Sequence, residues 1–294
     1  MRAEFGIAIP QTWPDPARLG RFLPRAEELG FDAAWTIEQL AGTIPCLEAL
    51  TTMAHAAALT RRMRLGVAVL LAAQREPLYL AKMLTTIDVL SCGRLVVGVG
   101  VGQGTRDYSA LGLAPDRRVA RFRENLEIIR RLWTEDRVTH AGQFARLEGV
   151  PMEPKPVQKP HPPVWFGAHV ERALRRAVEL GDGFMGAGSS SVDEFLSELQ
   201  LLRGFLGTRT GFPIGKRLYV SCKNDLSRME EWFGAFYHRP EMARKVAVWG
   251  SPGRVVEEVE RLLEAGTTHI LLHPVTDEEE QLELLASSVL TRFR

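Results

Sequence analysis

The chain has 294 residues, is 45% hydrophobic and carries 37 basic against 36 acidic side chains. That is enough apolar material for a large core, and the near-neutral balance excludes the strong positive field of a nucleic-acid binder. Cys46, Cys92 and Cys222 lie far apart without CxxC spacing, and no apolar run is long enough to span a bilayer; a reduced, cytoplasmic protein without membrane or nucleic-acid partners is expected.

In chain order, short apolar runs alternate with helical periods. The strand-like runs are 5–9, 33–36, 64–70, 95–99, 163–166, 183–185, 217–221 and 268–272. Between them the apolar spacing predicts helices over 16–29, 47–59, 77–90, 118–132, 171–180, 192–206 and 252–264, with a last one over 277–290. Such alternation implies a parallel sheet, and eight repeats imply an α/β fold of the (β/α)8 TIM-barrel type in one domain over 1–294, an open doubly wound sheet being the alternative. Two stretches break the pattern. Residues 134–162 hold five prolines and a Gly142-Gln143-Phe144 turn, which predicts an ordered insertion with a hairpin, and 203–215 with the aromatic-rich helix 226–248 predicts a second excursion.

The segment Ile87 to Gly104, IDVLSCGRLVVGVGVGQG, joins a helix end, a turn, a fully apolar strand and a glycine-rich mouth. Glycines at 98, 100, 102 and 104 remove side chains where the chain leaves the strand, so that a planar ligand or a phosphate can approach. A dinucleotide fingerprint fails by register, because the third glycine place is taken by Gln103 or Thr105, and no helical pattern opens before about Arg118.

In a barrel the chemistry belongs to residues just beyond the carboxyl ends of the strands. His269 and His273 share one strand face rather than a metal-ligand spacing, no GxSxG elbow is present, and no cysteine stands in a nucleophile context. Neither a metal nor a side-chain nucleophile is expected, so something other than side-chain nucleophiles must do the chemistry.

Five blocks carry a family resemblance: AEELGFDAAWTIEQ at 26–39, the stretch 65–104, RFRENLEIIRRLW at 121–133, PKPVQKPHPPVWFGAHVERALRRAVELGDGF at 154–184, and GSPGRVVEEVERLLEAGTTHILLHP at 250–274. Together they resemble the bacterial luciferase-like superfamily of flavin- and deazaflavin-dependent oxidoreductases, with the branch using coenzyme F420 nearest in length and wording. The resemblance implies a TIM barrel holding an isoalloxazine-type ring at its carboxyl face, with F420 as cofactor and FMN as the alternative. It also implies a non-prolyl cis peptide at Ala68-Val69 supporting the ring, Val101, Gly102 and Gln103 beside the ring or its ribityl chain, Gly167, Ala168, His169 and Val170 near the phosphate, and a homodimer.

The departures from that pattern bear on mechanism. Many relatives read Asp-His where this chain has Glu38-Gln39, and a sugar-oxidising branch has Glu where this chain has Gln103. Glutamine hydrogen-bonds but does not exchange a proton near neutral pH, which favours reduction of an activated double bond over alcohol oxidation. Glu38, Gln39 and Gln103 are the candidate catalytic positions, with Glu38, Tyr108, His169, His273 or water as proton source. Trp13 and His273 are assigned to the pocket of a small-molecule substrate, and Arg75, Arg106 and Arg146 are candidates for contact with the cofactor's anionic tail. An FMN-dependent monooxygenase using molecular oxygen and a cofactor-binding barrel without turnover are the competing functions.

Overall fold

The computed structural model describes residues 2–10, 15–42, 44–102 and 106–294, the side chains of Pro16, Arg106 and Asp107 excepted. Eight parallel strands close on themselves: β1 (Glu4–Ala8), β2 (Ala33–Thr36), β3 (Arg64–Val67), β4 (Leu95–Gly100), β5 (Val164–Ala168), β6 (Gly183–Gly186), β7 (Ile214–Ser221) and β8 (His269–Pro274). Neighbours in sequence pair in register around the ring, and Ile214–Lys216 of β7 beside Phe184–Gly186 of β6, with Glu4–Ile7 of β1 beside His269–Leu272 of β8, complete the closure. All eight predicted runs are barrel strands.

Around them lie α1 (Pro16–Glu28), α2 (Ala49–Leu59), α3 (Pro77–Leu90), the short α4 (Arg106–Ala110), α5 (Arg118–Thr134), α6 (Glu171–Leu180), α7 (Val192–Leu206), α8 (Leu226–Tyr237), α9 (Met242–Val246), α10 (Pro252–Glu264) and α11 (Glu278–Ser288). Local chemistry sets several starts. Proline occupies the first turn of α1, α3 and α10, where its missing N–H costs nothing. Ser191 and Glu194 form a reciprocal capping box at the start of α7.

Two cores result. Between strands and helices, Phe5, Ile7, Phe22, Leu23 and their neighbours are almost fully buried, each contributing roughly 1.5–3 kcal/mol. Inside the barrel, Ala8, Ala33, Trp35, Ala68, Val96, Trp165, Met185 and Leu271 form a separate plug. Two tryptophans fit there, with ring centroids 5.6 Å apart, because glycines line the wall beside them: a Cβ on Gly6 would lie 2.8 Å from Trp35 Cδ1 and one on Gly183 2.7 Å from Trp165 Nε1. The barrel below its mouth is therefore packed solid, and any ligand must sit above this layer.

The predicted insertion carries an antiparallel hairpin, Val138–Ala141 with Arg146–Val150. Its turn is tied to α5 by the Glu124 carboxylate, which accepts from the amides of Gln143, Phe144 and Ala145, each at 2.9 Å. The second excursion differs from expectation. Strand β7 begins at Ile214, three residues before the predicted run, and the aromatic segment is two helices, α8 and α9, separated at left-handed His238 and at Pro240, followed by a short strand Ala247–Trp249 on the edge of β7. A hydrophobic period does not reveal that break, because the proline falls in a polar gap. A helix also opens before Arg118, the five-residue α4. No helix is long and apolar enough to cross a membrane among the described residues.

Candidate active site

At the end of β3 the chain does not run straight on. The Ala68-Val69 peptide is cis, and the strand resumes as Leu70–Leu71, paired with Val99–Gly100 of β4. The Val69 side chain points towards β4 and β5: a Cβ on Gly100 would lie 2.5 Å from Val69 Cγ2, and one on Gly167 2.7 Å from Val69 Cγ1. Two of the glycines read as ligand-facing are thus also required by the bulge, since any side chain there would displace it. Gly102 is different. Its φ of +78° is a conformation that favours glycine, and it carries the chain out of β4 beside Leu71.

Above the bulge opens a cavity of about 410 Å³ whose walls include Ala68, Val69, Gly100, Val101, Gly102, Phe122, Phe166, Gly167, Ala168, His169, Val170, Met185 and Gly186. The wall of β4 is anchored by the buried Tyr108, whose hydroxyl donates to the Val101 carbonyl at 2.7 Å. One end of the cavity is basic: Arg118, Arg172 and Arg176 line it together with the first turn of α6. A second, more open groove continues past Val170 and shares Arg172 and Arg176 with the first, adding Arg123 and Arg175. Burial, together with the neighbouring Arg123 and Arg172, holds the Arg176 guanidinium below its ordinary pKa. The buried Nε atoms of Arg118 and Arg176 have no hydrogen-bond partner among the described residues. Three arginines in a cavity wall beside a helix start are an arrangement that suits an anion.

The opposite end is built by β7. Arg217 reaches across the barrel mouth and donates from Nη1 to the Ala68 carbonyl at 3.1 Å, and its guanidinium packs 5.1 Å from the Tyr219 ring centre. Behind it, the Tyr219 and Tyr237 hydroxyls lie 2.6 Å apart and the His273 ring packs 4.8 Å from that of Tyr219. Burial, with the Arg217 charge beside it, pushes the His273 pKa well below its usual value, and its Nδ1 has no partner among the described residues. Burial raises the Tyr219 phenol well above its usual range. On the outer face of the same strand, Lys216 is fully buried and holds the loop after β6, donating from Nζ to the carbonyls of Ala187 at 2.5 Å and Ser190 at 2.7 Å.

The sequence-predicted residues fall into three groups. Ala68, Val69, Val101, Gly102, Gly167, Ala168, His169 and Val170 share one cavity wall. Glu38, Gln39 and His273 are not part of it. The Glu38 carboxylate, 4% exposed, accepts from the Leu71 amide and pairs with Arg75, which also binds Glu48 at 2.8 Å. That network braces the loop after the bulge and occupies Arg75, so this arginine turns away from a cofactor tail. Gln39 packs under Gly42 with its buried Oε1 unpartnered among the described residues, and Arg146 sits on the hairpin. His273 stands behind Tyr219. Trp13 and Gln103 lie outside the described residues, as does the side chain of Arg106. Sequence reasoning passed over Arg118, Arg172, Arg176, Lys216 and Arg217. For the last two the signal was present: adjacent Lys and Arg inside an apolar strand point to opposite faces, Lys216 into the buried outer layer and Arg217 towards the barrel mouth.

The sequence profile described as Luciferase-like monooxygenase matches residues 3–240. The chain belongs to that family. Among relatives of this luciferase-like protein, an uncharacterized Mycobacterium tuberculosis protein is 37% identical over 222 residues, covering 74% of this chain and 75% of the other. An F420-dependent glucose-6-phosphate dehydrogenase of Amycolatopsis mediterranei is 26% identical over 322 aligned positions, covering 95% of each. Among solved structures, a monooxygenase of Streptomyces bottropensis superposes with a TM-score of 0.82 at 26% identity, covering 99% of this chain and 100% of that one. An F420-dependent secondary alcohol dehydrogenase superposes with a TM-score of 0.86 over 100% of both chains, and at 18% identity it shows the shared fold alone.

Proposed function

We propose that this luciferase-like protein is an oxidoreductase that binds coenzyme F420 and transfers a hydride between the reduced deazaflavin and a small organic substrate, with substrate reduction as the working direction. The observation that carries the cofactor reading is the basic rim. Arg118, Arg172 and Arg176 would hold a phosphate at the start of α6, and the rim continues outward past Arg123 and Arg175, which suits a longer polyanionic tail such as that of F420 better than the single terminal phosphate of FMN. The arginine side chains of that rim, and Gly102, which brings no side chain where the chain leaves β4, fit such a group. When bound, the deazaflavin supplies the hydride.

The chain's own residues would do the remaining work. The Ala68-Val69 bulge and Val101-Gly102 form the platform for a planar ring, while Phe122 and Phe166 exclude water from one side. Gln103, where a sugar-oxidising branch has Glu, carries no titratable group, which supports reduction over alcohol oxidation. The reading of an FMN-dependent monooxygenase draws support from the likeness to the Streptomyces bottropensis enzyme.

Fluorescence titration of the purified protein with F420 and, separately, with FMN tests the proposal. F420 is expected to bind at least about tenfold more tightly, and R172M/R176M to lose at least about tenfold of that affinity with a flatter salt dependence. Preference for FMN would redirect the reading to oxygen-dependent chemistry, and binding of neither would refute the cofactor assignment.

A further inference from the structure

In the closed ring β3 and β7 are four strands apart, and so face each other across the barrel. A side chain from β7 that bonds the Ala68 carbonyl at the end of β3 must therefore span the mouth, and the guanidinium of Arg217 does so, forming part of the cavity floor. The two flanks of the bulge face different neighbours: Val69 packs towards β4 and β5, while the Ala68 carbonyl faces Arg217.

Among the described residues no carboxylate lies within ion-pair distance of Arg217. Its polar surroundings are the Ala68 carbonyl, the Tyr237 hydroxyl, with which it hydrogen-bonds, and the Tyr219 phenol, with neutral His273 behind them. A half-buried guanidinium in a cavity wall with no carboxylate beside it is completed by an anion that accepts from the N–H groups the protein leaves over. Gly188 closes one side, where a Cβ would lie 2.5 Å from Arg217 Nε, so the free approach to the guanidinium is from the cavity.

We infer that Arg217 is the substrate-recognising residue of this site and that it selects compounds carrying a carboxylate. This rests on the reading above only in taking the rim arginines as occupied by the cofactor's tail. Two cation clusters at opposite ends of one cavity then divide two anions: the rim takes the tail, and the floor takes the substrate. The apolar walls between them, Phe166 and Met185 among them, suit a flat or unsaturated body attached to that carboxylate.

Benzoate and its neutral isostere benzamide are the probes. With F420-saturated protein, benzoate is expected to quench deazaflavin fluorescence or raise the melting temperature with an affinity at least about tenfold that of benzamide. R217M should abolish this preference, and R217K, which keeps the charge without the fork, should retain part of it. Repeating the melting experiment without F420, in phosphate buffer that fills the rim, keeps the floor readable if the cofactor assignment fails: benzoate preference there, lost in R217M, supports the inference even when F420 does not bind. Equal response to the two probes in wild type overturns it, whether or not R217M folds. So does a preference that survives in R217M. Loss of F420 affinity by more than about tenfold in R217M, with no benzoate preference in wild type, would assign the charge to the cofactor instead.

Discussion

Lys216 shows how much one side chain can be asked to do. Its ammonium is removed from water to hold two carbonyls of the loop that carries Ala187 and Ser189 into the cavity wall. Burial pushes its pKa down to about 7, with the nearby Glu198 carboxylate offsetting only part of the shift. In the unfolded chain a lysine titrates near ~10.4, so above about pH 7 the unfolded state binds the extra proton and stability rises with pH. Below that, both states are protonated and the contribution is flat. From about pH 8.5 upward, Cys46 and Cys222, whose thiols burial pushes up to about 11, act in the opposite direction, so the clean window is about pH 7 to 8.5. Urea denaturation at these two pH values should show wild type gaining up to about 2 kcal/mol relative to K216M. An identical pH slope in both proteins would show that Lys216 titrates as an ordinary lysine.

Among the elements, the bulge after β3 organises the site, and its fit depends on strands far away in sequence. Gly100 and Gly167 come from β4 and β5, yet both leave room for the same Val69 side chain. G167A should therefore overpack, with a loss of about 1–3 kcal/mol. Shrinking the partner in G167A/V69A should recover part of it, so that the double variant is less destabilised than the sum of the singles by at least about 0.5 kcal/mol in denaturant unfolding. Strict additivity would mean that the two residues do not meet. The same geometry gives glycines at these strand ends a reason besides the approach of a planar ligand or a phosphate. Gly100 and Gly167 accommodate protein, whereas Gly102 has a backbone conformation that favours glycine.

At the scale of the whole molecule, half of the ten exposed large apolar side chains among the described residues lie on one helix. Leu78, Tyr79, Met83, Val89 and Leu90 all lie on α3, with Tyr79 75% exposed and Leu90 57% exposed. The homodimer expected from the sequence is proposed to form through this face. Y79E/M83E, which leaves the site untouched, should shift the protein from dimer to monomer in size-exclusion chromatography with light scattering. A monomeric wild type, or a double variant that remains dimeric, would refute this.

The barrel was legible from the chain alone because its determinants are local. Short β-branched runs, intervening helical periods, prolines at helix starts and the Ser191 cap each act within a few residues, and burial of a strand on both faces leaves a continuous apolar signature. The cavity wall around Ala68, Val101, Gly102 and Gly167–Val170 was legible through the family resemblance, which names strand ends that the closed barrel then brings to one side of its mouth. Side-chain partnership was not. Whether Glu38 faces a ligand or is held by the Leu71 amide and Arg75, whether His273 reaches the cavity or stands behind Tyr219, and whether Arg217 is a surface charge or a cation laid across the barrel mouth depend on contacts between residues separated by tens to more than a hundred positions. Such contacts form only when the ring closes, because closure alone brings β3 and β7 face to face and removes their polar groups from water.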